Sequence, residues 1–117
     1  MRHSRARAFD SDLSYEQLLE LFNRMGPWSW RDRDSAWYGN LATFRSDRLE
    51  LALIESGANG VGGQVVAGGG RRYAASAVLD DDRPEADGKW QNVTSALDAL
   101  LRAAGARNVC DTDVIDV

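Results

Sequence analysis

The chain has 117 residues and a mass of 12.9 kDa, with 44% hydrophobic and 27% charged residues. That length fits one domain and is too short for two with separate cores, and the composition is globular rather than disordered or disulfide-stapled. Eighteen acidic residues against fourteen basic ones give a formal charge of −4, and the uninterrupted apolar runs fall far short of the ~20 residues that a bilayer span needs.

In chain order, residues 1–12 (MRHSRARAFDSD) show no apolar period and are expected to form a flexible basic N-terminal arm, with residues 13–117 as a single α+β domain. Ser14 and Gln17 have capping-box spacing, and Leu13 and Leu18 have hydrophobic-staple spacing. Tyr15, Leu18, Leu19, Phe22 and Met25 then recur at three- and four-residue steps, which predicts a helix over 14–25 that closes at Gly26-Pro27. Alternation and β-branched or aromatic residues predict strands near Ala36 to Phe44 and Leu49 to Glu55, with a hairpin turn at 45–48. In the second of these strands Leu49, Leu51 and Leu53 share one face, and Glu50, Ala52 and Ile54 the other.

Residues 57–70 hold seven of the eleven glycines. They read as a mobile connection with a weak strand over Val61 to Ala67. Arg71 to Leu79 reads as a further strand and DDDRPEADG as a solvated turn. Asp87 is expected to cap a second helix whose buried stripe is Trp90, Val93, Leu97, Leu100, Leu101 and Ala104, ending at Gly105. A last strand is expected at Arg107 to Asp111. The order α-β-β-(β)-β-α-β, with short turns between strands, implies an antiparallel sheet of about four to five strands with both helices on one face.

That order is similar to the double-stranded-RNA-binding domain, but the family's lysine cluster at the start of the second helix is missing. Only Lys89 stands there, beside Asp87 and Trp90 and after three aspartates. No family is assigned on these residues.

Charge is laid out unevenly. The first nine residues hold Arg2, Arg5 and Arg7 and no acid, whereas residues 80–117 hold nine acids against four bases. Proteins that bind duplexes gain much of their affinity by neutralising phosphates with Lys and Arg. So acidic a body argues against nucleic acid and favours a basic protein partner. Cys110 and His3 are the only residues of their kinds. They allow no intramolecular disulfide, no Cys/His zinc site without carboxylates, and no Ser-His-Asp machinery unless His3 is ordered. No cofactor and no metal are expected. The single thiol and the lack of an apolar segment behind the basic start suit a cytoplasmic protein. Thirteen arginines to one lysine suggest a GC-rich bacterial or phage gene.

Trp28, Trp30, Trp37 and Tyr38, interleaved with Arg31, Asp32, Arg33 and Asp34, are the most unusual cluster. Trp, Tyr and Arg dominate interface hot spots, but large side chains also fill the core of a small domain. The glycine-rich stretch completes neither GxxxxGK[ST] nor GxGxxG, and a strand rather than a helix follows it. Asp80, Asp81 and Asp82 with Glu85 and Asp87 lack an EF-hand ladder, as do Asp111, Asp113 and Asp116, so both runs read as surface charge. Glu50 is expected in solvent and Cys110 as a buried structural thiol.

The leading reading is a non-enzymatic protein-binding module, a small acidic stoichiometric inhibitor of a basic, nucleic-acid-binding protein, as in toxin immunity or anti-CRISPR action. Asp80, Asp81, Asp82, Asp111 and Asp113 would steer the encounter, and Trp30, Trp37 and Tyr38 would anchor it. The alternative is a small single-stranded nucleic-acid-binding protein that uses the Trp/Arg segment and the basic arm. A small-ligand-binding domain or enzyme comes third. A homodimer through sheet edges or the aromatic patch is compatible with each.

Overall fold

The computed structural model describes residues 2–35, 39–55 and 71–114. They form β1 (Arg2–Asp10), α1 (Tyr15–Met25), β2 (Arg31–Ser35), β3 (Gly39–Ser46), β4 (Leu49–Glu55), β5 (Tyr73–Asp80), α2 (Ala86–Ala103) and β6 (Arg107–Asp111). One antiparallel sheet of six strands has the order β2-β3-β4-β5-β1-β6. The chain is thus a single α+β domain with one strand more than the upper expectation. The expected strand over Val61 to Ala67 lies outside the described residues.

The extra strands come from segments that the sequence disguised. Residues 2–10, expected to be a flexible arm, are β1, which sits between β5 and β6 and pairs with both. Its period of two is present, with Phe9 on the helix side and Ala6 and Ala8 buried on the other. Arginine occupies the slots where an apolar residue would have revealed it. Those arginines and His3 are answered by acids on neighbouring elements. Arg5 Nη1 lies 3.5 Å from Asp98 of α2, and Arg7 Nη1 lies 3.1 Å from Asp111 of β6. His3 stacks on Trp90 of α2 with ring centroids 5.4 Å apart. β2 escaped notice for the same reason, because Arg31, Asp32 and Arg33 alternate charge rather than hydrophobicity.

Both helices are crossovers on one face of the sheet. α1 carries the chain from β1 to β2, over the intervening strands, and α2 carries it from β5 over β1 to β6. α1 opens with the expected capping box, in which Gln17 N–H donates to Ser14 Oγ (3.2 Å) and Ser14 N–H to Gln17 Oε1 (2.9 Å). α2 starts at Ala86 behind Glu85 rather than at an Asp87 cap. It closes in a Schellman motif: Ala106 N–H bonds Leu101 O and Gly105 N–H bonds Arg102 O, with Gly105 at φ +67°.

Tyr15, Leu18 and Phe22 of α1 and Val93, Leu97, Leu100 and Leu101 of α2 meet Phe9, Leu49, Leu51, Leu53, Tyr73 and Leu79 in the main core. Ala75 and Ala77 of β5 lie in the same layer, and their small side chains leave room for the helices to seat closely. A second buried cluster on the other face joins Ala8, Leu41, Ala52, Ile54 and Ala74, with Cys110 packed against it.

The tryptophans fasten the α1–β2 connection. Trp28 and Trp30 are buried in the core, edge to face at 6.4 Å, and Trp30 lies 5.4 Å from Phe22. The Asn23 side chain accepts from Trp30 N–H (2.6 Å) and donates to Trp30 O (3.3 Å), so α1 also holds the backbone leading into β2. Nearby, the buried Tyr15 hydroxyl donates to Asp32 at 2.6 Å.

Candidate protein-binding surface

The run Asp80-Asp81-Asp82 leaves the end of β5 beside the β3–β4 hairpin, and its members have different roles. Asp81 is turned inward, with its side chain fully buried. Arg83 donates to it from Nε (2.8 Å), Nη2 (2.6 Å) and its own backbone N–H (3.0 Å). These bonds, the side-chain ones foremost, hold the Asp81 carboxyl far below the usual carboxylate range. The same guanidinium reaches Asp47 Oδ2 of the hairpin turn at 3.1 Å, and Lys89 of α2 lies 3.7 Å from that oxygen. Asp80 N–H completes the join by bonding Arg48 O at 3.0 Å. Arg83 and Lys89 are therefore committed to Asp81 and Asp47, with Glu85 Oε1 a further 3.7 Å from Arg83 Nε, and the hairpin, the end of β5 and the first turn of α2 form one braced unit.

Asp80, Asp82, Glu85 and Asp87 are exposed carboxylates of this unit, as are Asp47 and Glu50 of the hairpin. Arg2 is the register partner of Asp80 across β1–β5, and His3 Nε2 lies 3.2 Å from Asp87 Oδ1 without hydrogen-bond alignment. Beside them the helix-free face of the sheet dips into an open recess of about 630 Å³, lined by Arg2, Arg45, Asp47, Arg48, Glu50 and Asp80 among others. Glu50 faces solvent as expected and lies 3.7 Å from Arg45 Nε. The recess draws on β1, the hairpin and β5, so no single stretch of sequence announces it. Asp80 was legible as a candidate; Asp47, Glu50 and the three arginines that share the recess were not.

The other expected site residues do not join this surface. Asp111 pairs with Arg7 across β6–β1, five residues along β1 from the position opposite Asp80, roughly 17 Å at the usual strand rise. Asp113 follows it, exposed. The two acidic runs are thus separate features rather than one face. Trp30, expected as a surface anchor, is 4% exposed and belongs to the core. Apolar burial and the Asn23 bonds account for its position. Trp37 and Tyr38 lie outside the described residues.

Among the described residues no group of three or more His, Cys, Asp or Glu is placed to hold a metal ion, and no helix is long and apolar enough to cross a membrane. Compared with known proteins, the chain matches no family model and no curated sequence.

Proposed function

We propose that this chain is a non-enzymatic protein-binding module of the bacterial or phage cytoplasm, a small acidic stoichiometric inhibitor of a basic, nucleic-acid-binding protein, of the toxin-immunity or anti-CRISPR kind. The observation that carries the reading is the braced acidic turn. Arg83 and Lys89 are bound to Asp81 and Asp47; Asp80 lines the recess, and Asp82, Glu85 and Asp87 are exposed in the turn and helix start that follow it. A braced acidic turn of this kind suits recognition, since little side-chain or loop ordering is left to be done on binding. Its negative charge speeds the encounter with a basic surface. Asp81 acts through the brace rather than by touching the partner, and Asp111 and Asp113 offer a second, separate contact.

The single-stranded nucleic-acid reading needs exposed rings for bases to stack on. Trp28 and Trp30 are buried, and Met25 and Val109 are the exposed large hydrophobics among the described residues. That reading therefore rests on Trp37 and Tyr38.

The full chain, immobilised, is to capture its target from a lysate of the source cell, and stopped-flow mixing then gives the association rate of the purified pair at rising salt. The reading expects a basic target, a rate that falls steeply with ionic strength, and a several-fold slower rate for Asp80→Asn/Glu85→Gln/Asp87→Asn at low salt. An acidic target, or a rate indifferent to both salt and these substitutions, overturns it. Tryptophan quenching by a single-stranded oligonucleotide at low salt would transfer support to the alternative.

A further inference from the structure

β2 is the terminal strand of the sheet, and β3 is its partner among the described residues. An outer edge of this kind presents a row of backbone N–H and C=O groups on which another strand can pair. Along an antiparallel ladder, residues alternately turn these groups toward one neighbour and toward the other. Within β2, one parity is therefore used by β3 and the other faces outward.

A second copy of the chain carries the same outward set. Antiparallel pairing of two β2 edges must then match positions of like parity, whatever the register. The odd positions are Arg31 and Arg33, and Asp32 is even. With Asp32 opposite Asp32 of the second copy, Arg31 faces Arg33 of that copy twice over. With Arg33 central, Arg33 faces Arg33. No like-parity register sets an arginine opposite Asp32.

Side chains opposite one another across antiparallel strands share a face, so these like charges meet directly, which destabilises the pairing. The odd positions pair with Leu41 and Thr43 of β3, on the helix-free face, and Arg31 and Arg33 are exposed there with no carboxylate partner among the described residues. They stand two residues apart, roughly 7 Å along the strand. Asp32 lies on the helix side, held by the Tyr15 hydroxyl. At the far edge of the sheet β6 offers a less regular ladder, because its register with β1 shifts near Asn108, a residue at φ +54°.

We propose that the outer edge of β2 is a charge-coded docking edge: it turns away a second copy of this chain and accepts, by strand addition, a strand of a different protein that sets carboxylates opposite Arg31 and Arg33. This surface is distinct from the recess and does not depend on the identity of the inhibitor's target.

The test uses the full chain and an Arg31→Glu/Arg33→Glu variant, which supplies the complementary edge on the same scaffold. Neither arginine makes an ion pair among the described residues, so the variant is expected to fold, and circular dichroism checks this. Sedimentation equilibrium should find each protein monomeric alone and the equimolar mixture dimeric, with an apparent Kd at least about tenfold tighter than either self-association. Hydrogen exchange should show slowed β2 amides in the mixture alone. An Arg31→Thr/Arg33→Thr chain, freed of the arginine repulsion, should self-associate more than the unaltered protein. A mixture as monomeric as its components, or an unaltered chain that dimerises with protected β2 amides, overturns the proposal.

Discussion

Replacing Trp30 with alanine separates a core residue from an interface anchor. The side chain is 4% exposed, contacts Phe22 and Trp28, and closes the connection between α1 and β2. Truncating a buried Trp to Ala typically costs about 3–5 kcal/mol, through lost transfer free energy and the cavity left behind. Two ring contacts are lost as well, each worth about 0.5–1.5 kcal/mol beyond area and already part of that range. Against a domain stability of about 5–15 kcal/mol, the loss is a large fraction of the whole. For a chain of this size it corresponds to a fall in Tm of roughly 10–20 °C. Trp30→Phe should lose much less, because it keeps a ring in the site and deletes an indole N–H that finds no acceptor among the described residues. Thermal unfolding followed by far-UV circular dichroism reads both. A Trp30→Ala chain that melts within a few degrees of the parent would refute the core assignment and return Trp30 to the surface.

Tyr73→Phe removes the hydroxyl that donates to Leu13 O at 2.6 Å and strands that carbonyl, so urea unfolding should show a loss of about 1–3 kcal/mol. In the parent, burial pushes the Tyr73 phenol up to about 12, so a spectrophotometric titration should find it ionising above an ordinary tyrosine. Asp81, depressed in the folded state by Arg83, contributes stability that is present above its ordinary value of 3.8 and is lost as pH falls through its lower folded value. Asp81→Asn should therefore lower stability at neutral pH and flatten the acid limb below about pH 4; an unchanged acid limb contradicts the brace. Gly105→Ala places a Cβ at φ +67° where nothing stands within 4 Å, so its expected cost of about 1 kcal/mol isolates backbone strain from packing.

Legibility followed apolar periodicity. α1, β4 and β6 were recoverable almost to the residue because Leu18 and Phe22, Leu49 to Leu53, and the Gly105 stop are local signals. β1 and β2 were not, since tertiary partners such as Asp98, Asp111 and the Tyr15 hydroxyl neutralise charges that read as solvent-seeking in isolation. The same distinction governs the candidate surface. The acidity of residues 80–87 is visible in one stretch, but the bracing of Arg83, which holds Asp81, runs through Asp47, 36 residues before that arginine and itself met by Lys89. The separation of Asp111 from Asp80 follows from β1 lying between β5 and β6, and no local pattern encodes that strand order.

Hydrogen exchange on the free chain and on its complex with the captured target locates the contact most directly. The expected result is slowed exchange at the hairpin around residues 45–50, which lines the recess with Asp80, and at the acidic turn over residues 80–89, with the interior of α1 unchanged. Protection confined to β6 and the residues after it, with the hairpin and the β5–α2 turn exchanging as in the free chain, would contradict the central claim.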